Sequence, residues 1–431
     1  MYYFSILTIA NYLCDFMDFI KDLKERGLFQ DISDQDLETK LNIGDSFYFG
    51  ADPTSSSLQI GNFVGLIVTA RLAKQGIKPI MLYGGGTAAI GDPGGKENER
   101  NLLSFEEIKS NMESISKKVT EIFDRLDVKV EYVNNHDWLH NLNFLDYLRD
   151  IGKHFPMSYM LAKDFIKTRV STTGISYAEF SYNMIQAYDF YHLYENNNCK
   201  MQICGSDQWG NVTSGLELIR RKLSKPAFAL SWPLITKSDG KKFGKSEGGA
   251  VWLNEDRTSP YKLHQYFLNT PDEDVIKYLK IFTFKSLEEI KQIEIDFKEN
   301  PSQRLAQKVL ADEICTLIHG KKATANAKIS AKVLFGESIK GLNDQALLDI
   351  FSEVPSCDIQ RETLKDLDLI SLFVESKATK SKGETRRLIE NGGGYINNER
   401  VSLETDLKNY LDKNLIILRT GKKSYTLIKV I

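Results

Sequence analysis

A short, glycine-flanked segment of this 431-residue chain carries two lysines three positions apart, Lys242 and Lys245. Ammonium groups on a mobile loop can close over a polyphosphate and neutralise charge as pyrophosphate departs. The segment is not a P-loop, because the first glycine of the pattern G-x-x-x-x-G-K-[ST] would fall at position 239, which is Asp239. It is therefore a candidate phosphate-binding loop, with a solvated basic turn as the alternative.

A second set of polar residues lies where a predicted strand gives way to a helix, in YFGADPT (48–54) and LQIGN (58–62). Gly50 and Gly61 have no Cβ, so a ligand can approach the backbone closely there. Gln59 and Asn62 lie where the helix begins, and free N–H groups and the positive end of the helix dipole face any ligand at that point. Polyphosphate is the expected occupant, and simple capping of the helix is the alternative.

Three polar side chains share one stripe of the predicted helix 179–196. Tyr182, Gln186 and Asp189 stand at positions i, i+4 and i+7, surrounded by apolar residues. Buried polar groups need hydrogen-bond partners, which a polar small molecule would supply. Asp92, in the nearby Gly-Asp-Pro segment, could add a carboxylate for an amino group. An exposed helix face is the alternative for this stripe.

A further strand end turns into a helix at GSDQWGN (205–211). Gly205 allows close approach of a ligand, and Asp207 can accept hydrogen bonds from ribose hydroxyls. An ordinary helix N-cap at Ser206 or Asp207 is the alternative interpretation.

The sequence offers no metal or disulfide framework. His136 and His140 have the spacing of a helical metal pair, but no third ligand accompanies them, so they are interpreted as ordinary histidines. The five cysteines are dispersed, without a C-x-x-C pair, and free thiols are expected. They are Cys14, Cys199, Cys204, Cys315 and Cys357.

The elements that must position these residues alternate along the first 235 or so positions. Strands are predicted at 46–51, 78–83, 128–134, 200–205 and 232–236. Helices are predicted at 18–28, 61–75, 106–126, 179–196 and 208–222, with helical pieces from 144 to about 168. This alternation indicates an α/β fold, a doubly wound parallel sheet with ligands at the carboxyl ends of its strands. Residues 260–340 read as almost entirely helical, and a small α+β segment follows.

Composition supports a globular protein of two or three domains, with 42% hydrophobic and 26% charged residues. The formal charge is −2, yet residues 377–431 contain twelve Lys and Arg against six Asp and Glu, which suggests a terminal nucleic-acid-binding module. The apolar first sixteen residues lack a basic region and a cleavage site, so we expect neither a secretory signal nor a membrane span, and Met17 as the functional start. A cytoplasmic location is expected.

Taken in order, these segments resemble the bacterial tyrosyl-tRNA synthetases of class I over nearly the whole chain, from Met17 to Ile431. DPTSSSLQIGN resembles the family pattern D-P-T-x-x-x-L-H-x-G-H, and KKFGKS resembles its K-F-G-K-[ST] loop. The other matching segments are GDPGGK, EFSYNMIQAYD, GSDQWGN and SPYKLHQYF. The resemblance implies a homodimer that activates tyrosine with ATP, releasing pyrophosphate, and then transfers tyrosine to the 3′ end of its tRNA. Mg²⁺ would arrive with ATP, without a dedicated protein metal site.

The resemblance also implies a role for each matching residue. The tyrosine hydroxyl would contact Tyr48 and Asp189, and the tyrosine ammonium group would contact Asp92, Tyr182 and Gln186. ATP and the adenylate would be bound by Gly50, Asp52, Gly61, Gly205, Asp207 and Gln208. The catalytic set around the departing pyrophosphate would be Thr54, Gln59, Asn62, Lys96, Arg100, Lys242 and Lys245. RNA phosphates would be bound by Lys382, Arg386 and Arg387.

By the same resemblance the chain divides into a Rossmann-like catalytic domain (17–245), a helical domain for the anticodon region of tRNA (246–345), a linker (346–364) and an RNA-binding module of the ribosomal-protein type (365–431). A helical insertion near 143–167 would form the dimer interface.

The chain departs from the family pattern in four places. Histidine is usual where this sequence has Gln59 and Asn62, and Phe49 and Gly65 replace other residues usual near the nucleotide. The substitutions at Gln59 and Asn62 leave open a catalytically weakened, synthetase-like RNA-binding protein as an alternative. A tryptophan-specific class I synthetase is the other alternative, against which the pairing of Asp189 with Tyr48 argues.

Overall fold

The structure, a computed structural model, describes residues 19–92, 102–240, 243–246, 249–352, 354–421 and 424–431. The chain forms two compact units. The first runs to Ser259 and includes Tyr266–Gly320, and the second combines Pro260–Gln265 with Lys321–Ile431.

A six-stranded sheet forms the centre of the first unit. Its strands are β1 (Asp31–Ile32), β2 (Ser46–Ala51), β3 (Lys78–Tyr83), β4 (Glu131–Asn134), β5 (Cys199–Gly205) and β6 (Phe228–Trp232). They lie in the order β1-β6-β5-β2-β3-β4, and all neighbours are parallel except the edge strand β1. The predicted parallel α/β sheet is confirmed, with β2 and β3 at the predicted positions.

One predicted strand is displaced. The sequence predicts a strand at 232–236, whereas β6 ends at Trp232. Pro233 has no N–H to donate to a ladder, and the apolar run Phe228–Trp232 is fully buried between β5 and β1. The prediction of 232–236 was therefore wrong by about one strand length.

Helices cover both faces of this sheet. They are residues 19–26 (α1), Leu37–Lys40 (α2), Phe63–Ala73 (α3), Phe105–Arg125 (α4), His136–Leu139 (α5), Tyr177–Asn196 (α9) and Trp209–Leu223 (α10). Ser104 and Ser176 begin α4 and α9 with reciprocal capping boxes, which satisfy N–H groups that the first turn leaves free. Tyr48 and Ile80 face α9, because both share a core cluster with Phe190.

The segment from 143 to 171 is helical in short pieces, as predicted. The pieces are α6 (Phe144–Asp146), a π-helical turn (Tyr147–Ile151), a 3₁₀ turn (Gly152–His154), α7 (Met157–Leu161) and α8 (Asp164–Ser171). Several large apolar side chains here are exposed, namely Phe144, Leu145, Leu148, Met157, Leu161 and Val170.

The helical part that follows consists of α11 (Pro260–Leu268), α12 (Asp272–Phe282), α13 (Leu287–Glu299) and α14 (Leu305–His319). Phe282 of α12 stacks on Phe63 at the start of α3, with ring centroids 6.2 Å apart. This contact fixes α12 beside the first turn of α3. Before α11, two short strands form a hairpin, β7 (Lys245–Ser246) and β8 (Gly249–Ala250).

The second unit is α+β. Its helices are α15 (Lys321–Leu334), α16 (Asp344–Ile350), α17 (Arg361–Asp366), α18 (Leu369–Glu375) and α19 (Lys382–Glu390). Its strands are β9 (Ser356–Ile359), β10 (Gly394–Ile396), β11 (Glu399–Arg400), β12 (Leu415–Thr420) and β13 (Ser424–Val430), in the order β11-β10-β12-β13-β9.

Residues 346–364, expected to be a linker, carry most of α16 together with β9, which pairs with β13. Val333 of α15 shares a core cluster with Phe351 and Leu415. Both observations place α15 and the expected linker within the second unit, and the predicted domain limits stay a prediction. No helix in the part of the chain that the structure describes is long and apolar enough to span a membrane.

Candidate active site

A buried carboxylate lies at the carboxyl edge of the first sheet. Asp189 of α9 is only 2% exposed, and its oxygens accept hydrogen bonds from Asn135 Nδ2 at 2.9 Å and Trp138 Nε1 at 2.8 Å. Burial raises the pKa of Asp189 to about 7, although these two hydrogen bonds act in the opposite direction. A carboxylate has about four lone-pair sites, and these two hydrogen bonds use only two of them. Asp189 can accept a further hydrogen bond, most strongly when it is ionised.

A buried hydroxyl without a partner accompanies this carboxylate. Tyr48 is 1% exposed, and its hydroxyl makes no hydrogen bond to any of the described residues. Burial, together with the charge of Asp189, raises the pKa of Tyr48 well above its usual value, so the phenol keeps its proton. Because an unsatisfied buried polar group costs about 1–3 kcal/mol, this pair offers a buried hydroxyl and a buried carboxylate to a polar ligand.

A chain of hydrogen bonds joins this carboxylate to a second one. Asn135 Nδ2 also donates to Thr87 Oγ1 at 3.0 Å, and Thr87 Oγ1 donates to Asp52 Oδ1 at 2.7 Å. The hydroxyl of Tyr182 donates to Asp52 Oδ2 at 2.8 Å. Tyr182, predicted to contact an ammonium group, is thus positioned by Asp52, which was predicted to contact the nucleotide.

A third carboxylate, Asp92, belongs to a separate chain of amides. Gln208 Nε2 donates to Asp92 Oδ2 at 2.7 Å, and Gln208 Oε1 accepts from Asn211 at 3.0 Å. Asn183 of α9 in turn donates to Asn211 Oδ1 at 2.7 Å. Gln186 Oε1 is buried and has no partner among the described residues, so it is an open acceptor.

The residues predicted to surround the phosphates of ATP are exposed at and near the start of α3. Gln59, Gly61 and Asn62 are exposed in and beside the 3₁₀ turn Ile60–Asn62, and Thr54 is exposed in the preceding loop. Asp207, also exposed, follows β5 at Gly205, where a Cβ would come within 2.6 Å of Asp207 Oδ1. A side chain at 205 would therefore displace the Asp207 carboxylate from its present position.

The lysine-loop segment is attached to this turn through the backbone. Gly244 has φ +86°, and its carbonyl accepts the Val251 N–H at 2.9 Å. The Val251 carbonyl accepts the Ile60 N–H, also at 2.9 Å. Lys245 is exposed, while Phe243 is 5% exposed. The chain therefore holds Gly244, within the lysine loop, and the start of α3 as one hydrogen-bonded assembly.

Two of the departures from the family pattern form one packing unit. A Cβ on Gly65 of α3 would lie 2.3 Å from Phe49 Cζ, so the Phe49 ring occupies the space that a side chain at 65 would fill. Phe49 also packs edge-on against Trp232, with centroids 5.7 Å apart. Phe49 and Gly65 are therefore matched to each other.

Three predicted residues, Lys96, Arg100 and Lys242, lie outside the described residues. Several hydrogen-bond partners in the site were not predicted from the sequence, namely Thr87, Asn135, Trp138, Asn183 and Asn211. Asn134 ends β4 and Asn135 directly follows it, at the edge of the sheet where ligands bind in such folds, and this position was a signal that could have identified Asn135.

The residues predicted to bind RNA lie together on one helix. Lys382, Arg386 and Arg387 are all exposed on α19. Thr385 faces inward, and its Oγ1 lies 2.6 Å from Thr379 Oγ1.

The two histidines with metal-like spacing, His136 and His140, stack with ring centroids 4.9 Å apart. The part of the chain that the structure describes contains no group of three or more His, Cys, Asp or Glu suited to hold a metal ion.

Two family models match the chain. The model described as tRNA synthetases class I (W and Y) matches residues 45–336, and the model described as Tyrosine--tRNA ligase SYY-like C-terminal domain matches residues 346–428. The chain belongs to the tyrosine–tRNA ligase family. Family membership confirms the resemblance found in the sequence, and with it the enzyme class.

Relatives in this family align with nearly the whole chain. Tyrosine--tRNA ligase 2 of Enterococcus faecalis is 44% identical over 95% of this chain and 99% of its own length. Tyrosine--tRNA ligases of Roseiflexus castenholzii (43%) and Cytophaga hutchinsonii (42%) each cover 96% of this chain and 99% of their own length.

Solved structures agree with the fold. A C-terminally truncated mitochondrial tyrosyl-tRNA synthetase of Aspergillus nidulans is 30% identical with a TM-score of 0.68, covering 76% of this chain and 98% of its own. A tryptophanyl-tRNA synthetase of Plasmodium falciparum shares the fold at 13% identity, with a TM-score of 0.53, covering 79% of this chain and 92% of its own.

Proposed function

We propose that this enzyme activates tyrosine with ATP to form tyrosyl-adenylate and pyrophosphate, and then esterifies tyrosine to the 3′ end of its tRNA. The observation that carries the proposal is the buried Asp189 carboxylate beside the unpartnered Tyr48 hydroxyl. A phenol donates one hydrogen bond and accepts another, so tyrosine would satisfy both groups, whereas phenylalanine would satisfy neither. Tryptophan could donate through its indole N–H but could not accept.

On the amino-acid side, the ammonium group is proposed to bind near Gln186 and Asp92. The Gln186 Oε1 acceptor supports this, because it is buried without a partner. Tyr182, fixed by its hydrogen bond to Asp52, would complete the contact. The carboxylate of tyrosine would then attack the α-phosphate, forming a C–O–P linkage as the bond to pyrophosphate breaks.

On the nucleotide side, the protein is proposed to act by positioning and charge neutralisation, without a covalent intermediate. Gly50, Asp52, Gly61, Gly205, Asp207 and Gln208 are proposed to bind ATP. Thr54, Gln59, Asn62, Lys96, Arg100, Lys242 and Lys245 are proposed to surround the departing pyrophosphate. Mg²⁺ is proposed to arrive with the nucleotide. In the second step the terminal ribose hydroxyl of tRNA attacks the tyrosyl carbonyl, and AMP leaves.

The decisive experiment is exchange of labelled pyrophosphate into ATP, with tyrosine, phenylalanine or tryptophan supplied separately. Exchange dependent on tyrosine alone is expected. Lys245→Ala should slow adenylate formation by roughly two to three orders of magnitude, typical of removing a transition-state charge partner, with little change in tyrosine affinity. Exchange that depends on tryptophan would show that the pocket accepts tryptophan instead of tyrosine. Absence of exchange with every amino acid would favour the catalytically weakened RNA-binding protein, an alternative suggested by Gln59 and Asn62.

The enzyme is also proposed to act as a homodimer through the segment near 143–167. The exposed apolar side chains there, including Phe144, Leu145 and Met157, support this, because such patches usually mark interfaces. Sedimentation of the wild type and of a Phe144→Asp, Leu145→Asp variant tests it, and a monomeric wild type would contradict it.

The C-terminal unit is proposed to bind tRNA, and the substrates ATP and tRNA suggest a cytoplasmic reaction.

A further inference from the structure

The chain is anchored to α12 just before the lysine loop begins. The backbone N–H of Ser238 donates to Asp274 of α12 at 3.1 Å, and its hydroxyl donates to the same carboxylate at 3.1 Å. Asp274 is 2% exposed. Lys277, one turn further along α12, donates to the carbonyl of Thr236 at 3.0 Å. One end of the segment is therefore fixed to α12.

Between the two lysines of the loop, Phe243 is held in a box of aromatic rings. It packs edge-on against Tyr266 of α11 and Tyr278 of α12, with centroids 6.1 and 5.1 Å away, and it stacks on Phe282 at 5.1 Å. The two tyrosines therefore make the same kind of ring contact with Phe243.

The hydroxyls of these two tyrosines differ. The Tyr266 hydroxyl accepts the backbone N–H of Gly244 at 3.1 Å. The Tyr278 hydroxyl is buried without a hydrogen-bond partner in the part of the chain that the structure describes. Burial raises the pKa of Tyr266, and the charge of Asp274 adds to this, so the hydroxyl stays neutral at physiological pH.

Gly244 is the residue through which the loop meets the start of α3. Its φ of +86° is one that glycine adopts without strain, and a Cβ there would lie 2.9 Å from Ile60. Its carbonyl reaches Ile60 through Val251, while its N–H is held by Tyr266. The N–H and the carbonyl of Gly244 are therefore both hydrogen-bonded, and Lys245 follows directly.

We infer that Tyr266 is a positioning residue for the activation step, whose hydroxyl fixes the peptide group between Phe243 and Gly244 and thereby aims Lys245 at the phosphates. The inference rests on the proposed role of Lys245 in neutralising the departing pyrophosphate. Without the hydroxyl, the peptide can rotate, and Lys245 spends less time in the productive orientation. Ground-state binding of tyrosine does not involve this peptide, so the effect falls on the rate of adenylate formation.

Tyr266→Phe tests the inference, with Tyr278→Phe as the matched control, since both changes remove one hydroxyl from the same aromatic box. Single-turnover adenylate formation should slow about five- to tenfold in Tyr266→Phe, the value of one hydrogen bond. Tyrosine and ATP dissociation constants should change less than about twofold. Tyr278→Phe should match the wild type in rate. Both variants should unfold cooperatively, with Tyr266→Phe slightly less stable because the Gly244 N–H loses its partner.

The effect should also depend on Lys245. In a Lys245→Ala background, adding Tyr266→Phe should cause no further loss, because a positioning residue has nothing left to position. A full additional loss in that background, or a wild-type rate in Tyr266→Phe alone, would overturn the inference while leaving the proposed function intact. If Lys245→Ala itself has no effect on the rate, the proposed lysine role fails, and the inference fails with it.

Discussion

At the scale of single residues, the chemistry of Asp189 depends strongly on its surroundings. Burial raises its pKa from 3.8 to about 7, whereas the hydrogen bonds from Asn135 and Trp138 favour the ionised form. A phenol proton is accepted far better by a carboxylate than by a neutral carboxyl group. Tyrosine binding should therefore be linked to ionisation of this side chain.

We expect tyrosine affinity to fall as the pH drops below about 7. Because the pKa of the ligand-free group is raised to about 7, the carboxyl is increasingly protonated below that pH, and tyrosine binding must release the proton. The dissociation constant for tyrosine should therefore increase as the pH falls, with a limiting slope of about tenfold per pH unit. Equilibrium dialysis between pH 5.5 and 8 measures this. Asp189→Asn should bind weakly with a flat profile, and a flat wild-type profile would show that Asp189 does not titrate in this range.

Gln59, where histidine is usual in the family, gives a second prediction at this scale. Gln59 is exposed at the start of α3, and its backbone forms an isolated β-bridge with Trp252. A histidine could donate a charged hydrogen bond, worth about 1 kcal/mol more than a neutral one. Gln59→His should leave adenylate formation unchanged or raise it up to about tenfold, measured in single turnovers. A loss of about tenfold or more would show that the glutamine is adapted to its surroundings.

At the scale of elements, β2 and α3 are fitted to each other through Phe49 and Gly65. An alanine in a helix is normally more stable than glycine by about 1 kcal/mol. Here the added methyl group would overlap the Phe49 ring, and overpacking of this kind costs about 1–3 kcal/mol.

Gly65→Ala should therefore lower the free energy of unfolding, measured in urea, despite its favourable helix propensity. In a Phe49→Ala background the same change should be neutral or stabilising, since the ring is gone. Gly210→Ala, in α10, is the control, because a Cβ there meets no atom within 4 Å. Equal effects of Gly65→Ala in both backgrounds would mean that the ring and the glycine are not coupled.

The elements also show which parts of the fold could be predicted from sequence. Apolar runs bounded by polar residues identified β2 and β3, since a buried parallel strand is apolar on both faces. The stripe of Tyr182, Gln186 and Asp189 followed from helical periodicity alone. The partners Asn135 and Trp138 could not be predicted in the same way, because they reach Asp189 only through the order of strands in the sheet. The predicted strand 232–236 was wrong because Pro233 has no N–H to donate to a neighbouring strand, so β6 ends at Trp232.

At the scale of the whole molecule, charge is distributed unevenly. The chain carries a formal charge of −2, while residues 377–431 hold twelve basic and six acidic residues. The second unit, which contains this excess, has its own sheet and core clusters, one of them formed by Ile359, Phe373, Ile416 and other apolar residues. Its basic helix α19 can therefore be altered without touching the residues proposed to activate tyrosine.

Reversing the charge of this helix should separate the two proposed steps. In the full chain, Lys382→Glu, Arg386→Glu, Arg387→Glu should leave tyrosine-dependent pyrophosphate exchange unchanged, because the exchange needs no RNA. Charging of tRNA should fall by about tenfold or more, and the dependence of tRNA affinity on salt should become less steep, since each lost phosphate contact removes about one unit of slope. The matched control exchanges the residue types but keeps the charge, as Lys382→Arg, Arg386→Lys, Arg387→Lys, and should charge tRNA nearly as well as the wild type. Undiminished charging by the reversed variant would show that α19 does not contact tRNA, and a parallel loss of pyrophosphate exchange would show that the substitutions act through folding.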